Sequence, residues 1–351
     1  MTLAAPYVCL SARAAGDALP ENTLHAVEAA AAWASGFEFD AQLAGDGSLV
    51  ALHDADLART TNASGLVRLL PYDDIRRLDA AHGFCAVEPP AATAEVPQHE
   101  VAYQRHKQTR RALWLRVCRQ RESLPASHLA VPLIRDVMQE VVERRRLPLL
   151  VEVKLGVDAR GATEALRRLL NDTDAAPSLV QLRHRYVAVM SFSPELLYRV
   201  RRELPDVATV LLVGHDLMSR YCHHTAASAA ASRPLAERLL CASPSVLDRV
   251  VWWVGYPIVA WWIGVSGVAP HYSSVCEQRH ADEAAVVSCD AVSWWRRVFG
   301  WWVYVWGVEV ERMRPAASVG HLLAHLQQLG VSWTPSVLPL PPWDEATTTV
   351  G

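Results

Sequence analysis

The sequence predicts an α/β protein, and three observations lead there. Short apolar runs of strand character alternate with helical patterns along most of the chain, which is the mark of parallel βαβ units. The alternation recurs about eight times, which favours a closed barrel over an open sheet. The length, 351 residues, is ordinary for a single TIM (β/α)8 barrel with insertions and large for a sandwich or bundle. One domain over residues 1–345, followed by a short tail at 346–351, is the expected organisation.

Taken in order, residues 7–11 read as a short buried strand rather than a signal peptide, since no basic start or long apolar core is present. Pro20-Glu21-Asn22-Thr23 follows. Residues 23–35 then form an Ala-rich helical pattern, with Asn22 or Thr23 as its N-cap and Gly36 closing it. Residues 37–43 and 49–53 are strands around the Gly45-Asp46-Gly47 turn. A short helix is expected at 71–78 and an amphipathic one at 133–145, leading into a strand at 147–153. Helices at 162–170 and 194–202 then alternate with strands at 186–190 and 207–213. Near the end, residues 302–308 read as a strand, 319–329 as a helix and 331–334 as a short strand.

Two stretches interrupt the alternation. Residues 80–130 look like an insertion, within which Arg105, Lys107, Arg110, Arg111, Arg116, Arg119 and Arg121 surround Leu113, Trp114, Leu115 and Val117. That segment reads either as a solvated basic helix or as a helix lying on an anionic membrane surface. The second stretch, residues 250–270, holds no charged residue and carries Trp252, Trp253, Trp261 and Trp262. Three readings stand: a segment embedded in one membrane leaflet, a true span, or a buried barrel strand with its loops.

A net charge of −3 gives no global field that would select nucleic acid, so no nucleic-acid partner is expected. The seven cysteines are odd in number and lack CxxC spacing, which points to reduced thiols in a cytosolic setting. A cytoplasmic or membrane-associated protein is expected, not a secreted one.

The chemistry gathers in residues 36–61. Glu38 and Asp40 stand two apart in a strand pattern, so both carboxylates point to one face. Converging oxygen donors at a strand end suit a hard divalent cation. His53-Asp54 closes the next apolar run and offers acid or base chemistry.

Further short motifs accompany these. In order along the chain stand Pro20-Glu21-Asn22-Thr23, Glu38-x-Asp40, Asp46-Gly47, His53-Asp54, Arg59-Thr60-Thr61 and Val131-Pro132-Leu133. Glu152-x-Lys154, Ser191-Phe192-Ser193-Pro194-Glu195, Trp306-Gly307-Val308 and Gly330-Val331 with Pro339 follow. The ordered set resembles the glycerophosphodiester phosphodiesterase family over nearly the whole chain. The hydrophobic stretch makes it most similar to the membrane-associated eukaryotic subgroup of lysophospholipase D or phosphatidylglycerol phospholipase C type.

The resemblance implies a TIM barrel with its site at the C-terminal ends of the strands. It also implies one divalent cation, Mg²⁺ or Ca²⁺, held by Glu38, Asp40 and Glu152, with Arg13 and Lys154 on phosphate oxygens and His53 as acid/base. The implied substrate is a glycerophosphodiester or a lysophospholipid, met at a membrane surface. The family's opening His-Arg-Gly stands here as Ala12-Arg13-Ala14, so one of its two histidines is a methyl group that carries no proton. Ser332 and Val337 also stand where aspartates are usual, and Trp333 where a glycine is. These departures leave a second reading open: a non-catalytic descendant that binds phospholipid head groups or a protein partner.

Overall fold

Runs such as LLVEV at Leu149–Val153 and ATVLLV at Ala208–Val213 are buried at every position. That pattern belongs to parallel strands covered on both faces. The computed structural model describes residues 10–11, 19–31, 34, 36–89, 101–172, 177–214, 248, 250–270, 298–299, 301–308 and 332–335. The strands are β1 (Leu10–Ser11), β2 (Gly36–Leu43), β3 (Leu49–Ala51), β4 (Leu149–Val153), β5 (Val187–Ser191), β6 (Ala208–Val213), β7 (Gly267–Pro270), β8 (Trp302–Val308) and β9 (Ser332–Pro335). Their order is β1-β2-β4-β5-β6-β7-β8-β9, with every neighbouring pair parallel. Only β3 is antiparallel, hanging on the end of β2. Since β9 also lies alongside β1, the parallel strands form the expected (β/α)8 barrel.

Strand alternation sorts the core into two layers. Phe37, Phe39 and Ala41 of β2, with Leu149, Val151 and Val153 of β4, face outward into the main core beneath the helices. The intervening position Leu150, together with Ala188, Met190, Ala208, Val210, Leu212 and Ala269, forms a separate cluster that fills the barrel interior. Glu38, Asp40 and Glu152 share the parity of Leu150, so the same alternation aims them inward.

The outer helices begin where their caps dictate. Thr23 accepts from Ala26 N at the start of Leu24–Ala30, Asp158 from Arg160 N and Gly161 N before Ala159–Asn171, and Ser193 from Leu196 N before Pro194–Glu203. The expected helix at 133–145 is Ile134–Met138 running on into a π-type stretch, Gln139–Arg144. Gly36 does not close the first helix. That helix ends at Ala30 with a right-handed cap at Ala31 and needs no glycine, while Gly36 opens β2 opposite Leu10. Helix Pro177–Tyr186 was not anticipated, because among its residues only Leu179 is fully buried and the apolar periodicity is weak. The helix expected at 319–329 lies outside the described residues.

The uncharged stretch resolves into a helix and a strand. A π-type turn at Val251–Gly255 leads into helix Tyr256–Ile263, which Gly264 ends in a left-handed conformation before β7. Among the described residues no helix is long and apolar enough to cross a membrane. In the insertion, helix Val101–Gln120 turns Val117 inward, and the Trp114 indole donates to the Phe84 carbonyl at 2.9 Å. Arg111 pairs with Glu88, and Arg121 with Asp79. The expectation of reduced thiols fails at one pair: Cys85 and Cys118 form a disulfide, with Cα atoms 5.7 Å apart. A separation of 33 residues leaves no local spacing that could have signalled it.

Candidate active site

Because β2 and β4 run parallel in register, Asp40 lies opposite Glu152 and Glu38 opposite Leu150. Glu38, Asp40 and Glu152 are all buried, and each offers a carboxylate oxygen within 4.8 Å of the others. Lys154, one step past the end of β4, donates from Nζ to Glu152 Oε1 at 2.6 Å and to Asp40 Oδ1 at 3.1 Å. Burial first, and the charge of Asp40 second, push the Glu152 carboxyl up from its ordinary value, with Lys154 and His53 opposing. Burial works against the charge on Lys154, yet Asp40 and Glu152 hold its ammonium above its ordinary range.

The donor set fits a hard cation. All the atoms offered are carboxylate oxygens, without nitrogen or sulfur. Three carboxylates face one ammonium, so a divalent ion there would balance charge that Lys154 alone leaves in excess.

Asn22 fixes the orientation of Asp40. Its side-chain oxygen accepts from Asp40 N at 3.1 Å and its amide donates to Asp40 Oδ2 at 2.9 Å. To reach both atoms Asn22 is buried at φ 56°, in the left-handed region that asparagine tolerates better than most residues. The sequence offered Asn22 as a possible cap, but Thr23 caps the helix and Asn22 serves the carboxylate instead.

His53 follows β3, whose pairing with β2 brings it to the same end of the barrel. Leu52 N donates to Asp40 O at 3.1 Å, and Gln42 Nε2 donates to His53 O at 2.9 Å, so the loop is pinned on both sides. The imidazole Nδ1 meets Asp54 Oδ1 at 2.6 Å. Arg59 Nε donates to Asp54 Oδ2 at 2.5 Å, and its two terminal nitrogens grip both oxygens of Glu21 at 2.8 and 2.7 Å. Partial burial works against the Asp54 charge, but hydrogen bonds from Arg59 and His53 hold its carboxyl below the ordinary range. The chain Glu21–Arg59–Asp54–His53 was not foreseen as a unit, although each member stands in a motif quoted from the sequence. At the end of β5, Ser191 Oγ donates to Val153 O at 2.7 Å and ties that strand to the end of β4. Arg13 and Ala12 lie outside the described residues.

A family model for the glycerophosphoryl diester phosphodiesterase family matches residues 13–249. The chain belongs to this family. A probable glycerophosphodiester phosphodiesterase 1 of Mycobacterium tuberculosis is 30% identical over 70% of this chain and 77% of its own length. A glycerophosphodiester phosphodiesterase of Bacillus altitudinis is 48% identical, but only over 18% of this chain and 27% of its own length. The human glycerophosphodiester phosphodiesterase 1 is 29% identical, over 55% of this chain and 44% of its own length. The chain thus spans less than half the length of several curated relatives that it matches. Among solved structures, an Oleispira antarctica phosphodiesterase in complex with the product sn-glycerol-3-phosphate has a TM-score of 0.55 at 16% identity, covering 95% of this chain and 94% of that one. A putative glycerophosphoryl diester phosphodiesterase of Agrobacterium tumefaciens gives 0.56 at 15%, covering 94% of each. At such identities these two structures establish the barrel fold.

Proposed function

We propose that this chain is a metal-dependent phosphodiesterase that hydrolyses glycerophosphodiesters to sn-glycerol 3-phosphate and an alcohol. One observation carries the reading: three buried carboxylates converge within 4.8 Å at the C-terminal end of a parallel barrel, beside Lys154 and the His53–Asp54 pair. Glu38, Asp40 and Glu152 would hold Mg²⁺ or Ca²⁺, and the ion would supply polarisation of a phosphoryl oxygen and compensation of developing charge. Lys154 stays protonated at the rim of this cluster and binds a phosphate oxygen, with Arg13 as its partner in that task. Asp54 holds His53 through Nδ1, which leaves Nε2 as the nitrogen that would give a proton to the leaving alcohol or take one from the attacking hydroxyl. Glu21 and Arg59 keep Asp54 charged and in place.

Ala12 removes one of the family's two proton carriers, which predicts a slower enzyme rather than an altered product. A lysophospholipid presents the same bond at a lipid surface and is the finer substrate reading.

The test is choline release from glycerophosphocholine and from lysophosphatidylcholine, with Mg²⁺ and with Ca²⁺. Turnover should be abolished by chelation and lowered about 10²–10⁴-fold in His53→Ala. It should rise in Ala12→His. If no turnover is seen in either the native chain or Ala12→His, the enzyme reading fails. Turnover in Ala12→His alone would make the native chain a binding protein.

A further inference from the structure

Helix Tyr256–Ile263 with its opening turn Val251–Gly255 buries one side only. Trp252, Pro257, Ala260 and Ile263 are buried, with Trp252, Ala260 and Ile263 joining the outer core. The other side is solvent-exposed: Trp261 is 68% exposed, Trp262 65%, Ile258 58%, Val254 51% and Trp253 47%. Scattered exposed apolar residues are normal, but five large ones on a single uncharged helix form a contiguous patch that needs an occupant.

We infer that this face is a docking surface for the interfacial zone of an anionic lipid bilayer. Three features select that occupant. The exposed side is rich in tryptophan, whose amphipathic ring partitions to the headgroup boundary, and it carries no charge that would resist insertion. At 1.5 Å per residue the helix is about 20 Å long, short of the ~30 Å hydrocarbon thickness, so it lies in the interface and does not span. Cations flank it without carboxylate partners. Tyr198 stacks on Trp262 at 5.2 Å, and Arg202 sits over the Tyr198 ring. Arg201 lies beside Gly264 at the helix end. Arg201 donates to Pro205 O and Arg202 to Tyr198 Oη; among the described residues neither guanidinium is neutralised by a carboxylate. Two guanidinium groups whose charge no carboxylate among the described residues offsets, beside an aromatic face, match lipid phosphates at the headgroup level.

The topology adds an orientation. The helix leads into β7, so its first turn sits at the C-terminal end of the barrel strands and its last at the opposite end. A helix lying flat on the bilayer therefore lays the barrel on its flank. The end that holds Glu38, Asp40 and Glu152 then faces sideways, parallel to the membrane surface. This inference does not rest on the hydrolase reading, and binding can be measured without turnover.

The experiment is flotation of the full chain with vesicles of phosphatidylcholine, and of phosphatidylcholine mixed with phosphatidylglycerol. The native chain should float with the mixed vesicles. Trp253→Ser/Ile258→Ser/Trp261→Ser should lose that binding by about tenfold or more while keeping the native circular dichroism spectrum. Arg201→Gln/Arg202→Gln, which leaves the apolar face intact, should weaken binding to the mixed vesicles alone and keeps the proposal testable if the triple variant does not fold. The inference is overturned if the native chain stays at the bottom of the gradient, or if both variants float as it does. A native dimer that the triple variant converts to monomer, with no vesicle binding, would assign the face to a second copy of the chain and overturn it equally.

Discussion

At the scale of single residues, the site depends on groups that make one carboxylate point correctly. Asn22 satisfies both the backbone and the side chain of Asp40. Asn22→Ala removes both bonds and places alanine in a left-handed conformation. A loss of about 2–4 kcal/mol is expected in urea denaturation. Asn22→Gly, which also removes both bonds but keeps the conformation easy, should lose less; equal losses would show that the left-handed backbone adds nothing to the loss of the hydrogen bonds. Asp54 gives a pH signature. Its folded pKa lies below the ordinary 3.8, so its contribution to stability is complete above that value and lost as pH falls through the folded pKa. The melting-temperature gap between the native chain and Asp54→Asn should therefore be constant from neutrality down to about pH 4 and close below it. A gap independent of pH would mean that the Arg59 and His53 bonds do not stabilise the charge. The carboxylates Glu38 and Asp40 were legible because strand alternation is local, and Glu152 because its motif belongs to the family resemblance. Asn22 and Arg59 were not, because their partners are 18 and 38 residues away and only the folded chain brings them together.

Elements differ in legibility for a related reason. Helices with a side-chain cap and a strong apolar face, such as Ala159–Asn171 and Pro194–Glu203, fall within a few residues of where the sequence places them. Strand β7 did not, because GVAP is four residues long and sits inside an apolar run whose helical part is equally uncharged. The insertion carries a different lesson. Its long helix Val101–Gln120 is bridged by Cys118 to Cys85 on the short helix His82–Ala86. In turn Gly83 N donates to Thr60 O, and any side chain at Gly83 would collide with the Arg59 carbonyl. The bridge thus braces the backbone of the loop that bears Arg59. By chain entropy alone, closing a loop of that length is worth about 3–4 kcal/mol. Cys118→Ser, or reduction of the native chain, should speed proteolysis within residues 82–120 and lower thermal stability. Equal proteolysis with and without reductant would show that packing of Val117 and Trp114 suffices.

The whole molecule was legible as a barrel because strand–helix alternation is a local signal that recurs about eight times, whereas closure of β9 onto β1 and the charge balance inside are properties of the assembled fold. That charge balance yields a prediction with two signs. Without metal, Glu38, Asp40 and Glu152 are confined around one lysine, and burial together with Asp40 raises the Glu152 carboxyl. Glu152→Gln removes that repulsion and leaves Lys154 its bond to Asp40. In chelator, the melting temperature of Glu152→Gln should therefore equal or exceed that of the native chain. With Mg²⁺ or Ca²⁺ the order should reverse. A ligand that binds only the folded state stabilises it by about 2.7 kcal/mol at a hundredfold excess over its Kd, so the native melting temperature should climb with the logarithm of ion concentration. Glu152→Gln, with one donor lost, should stay flat over the same range. Lower pH should weaken the native response, since the ion must displace the proton that a raised Glu152 pKa retains. Parallel curves for the two proteins, in chelator and in metal alike, would show that the carboxylates are held for the barrel and not for a cation.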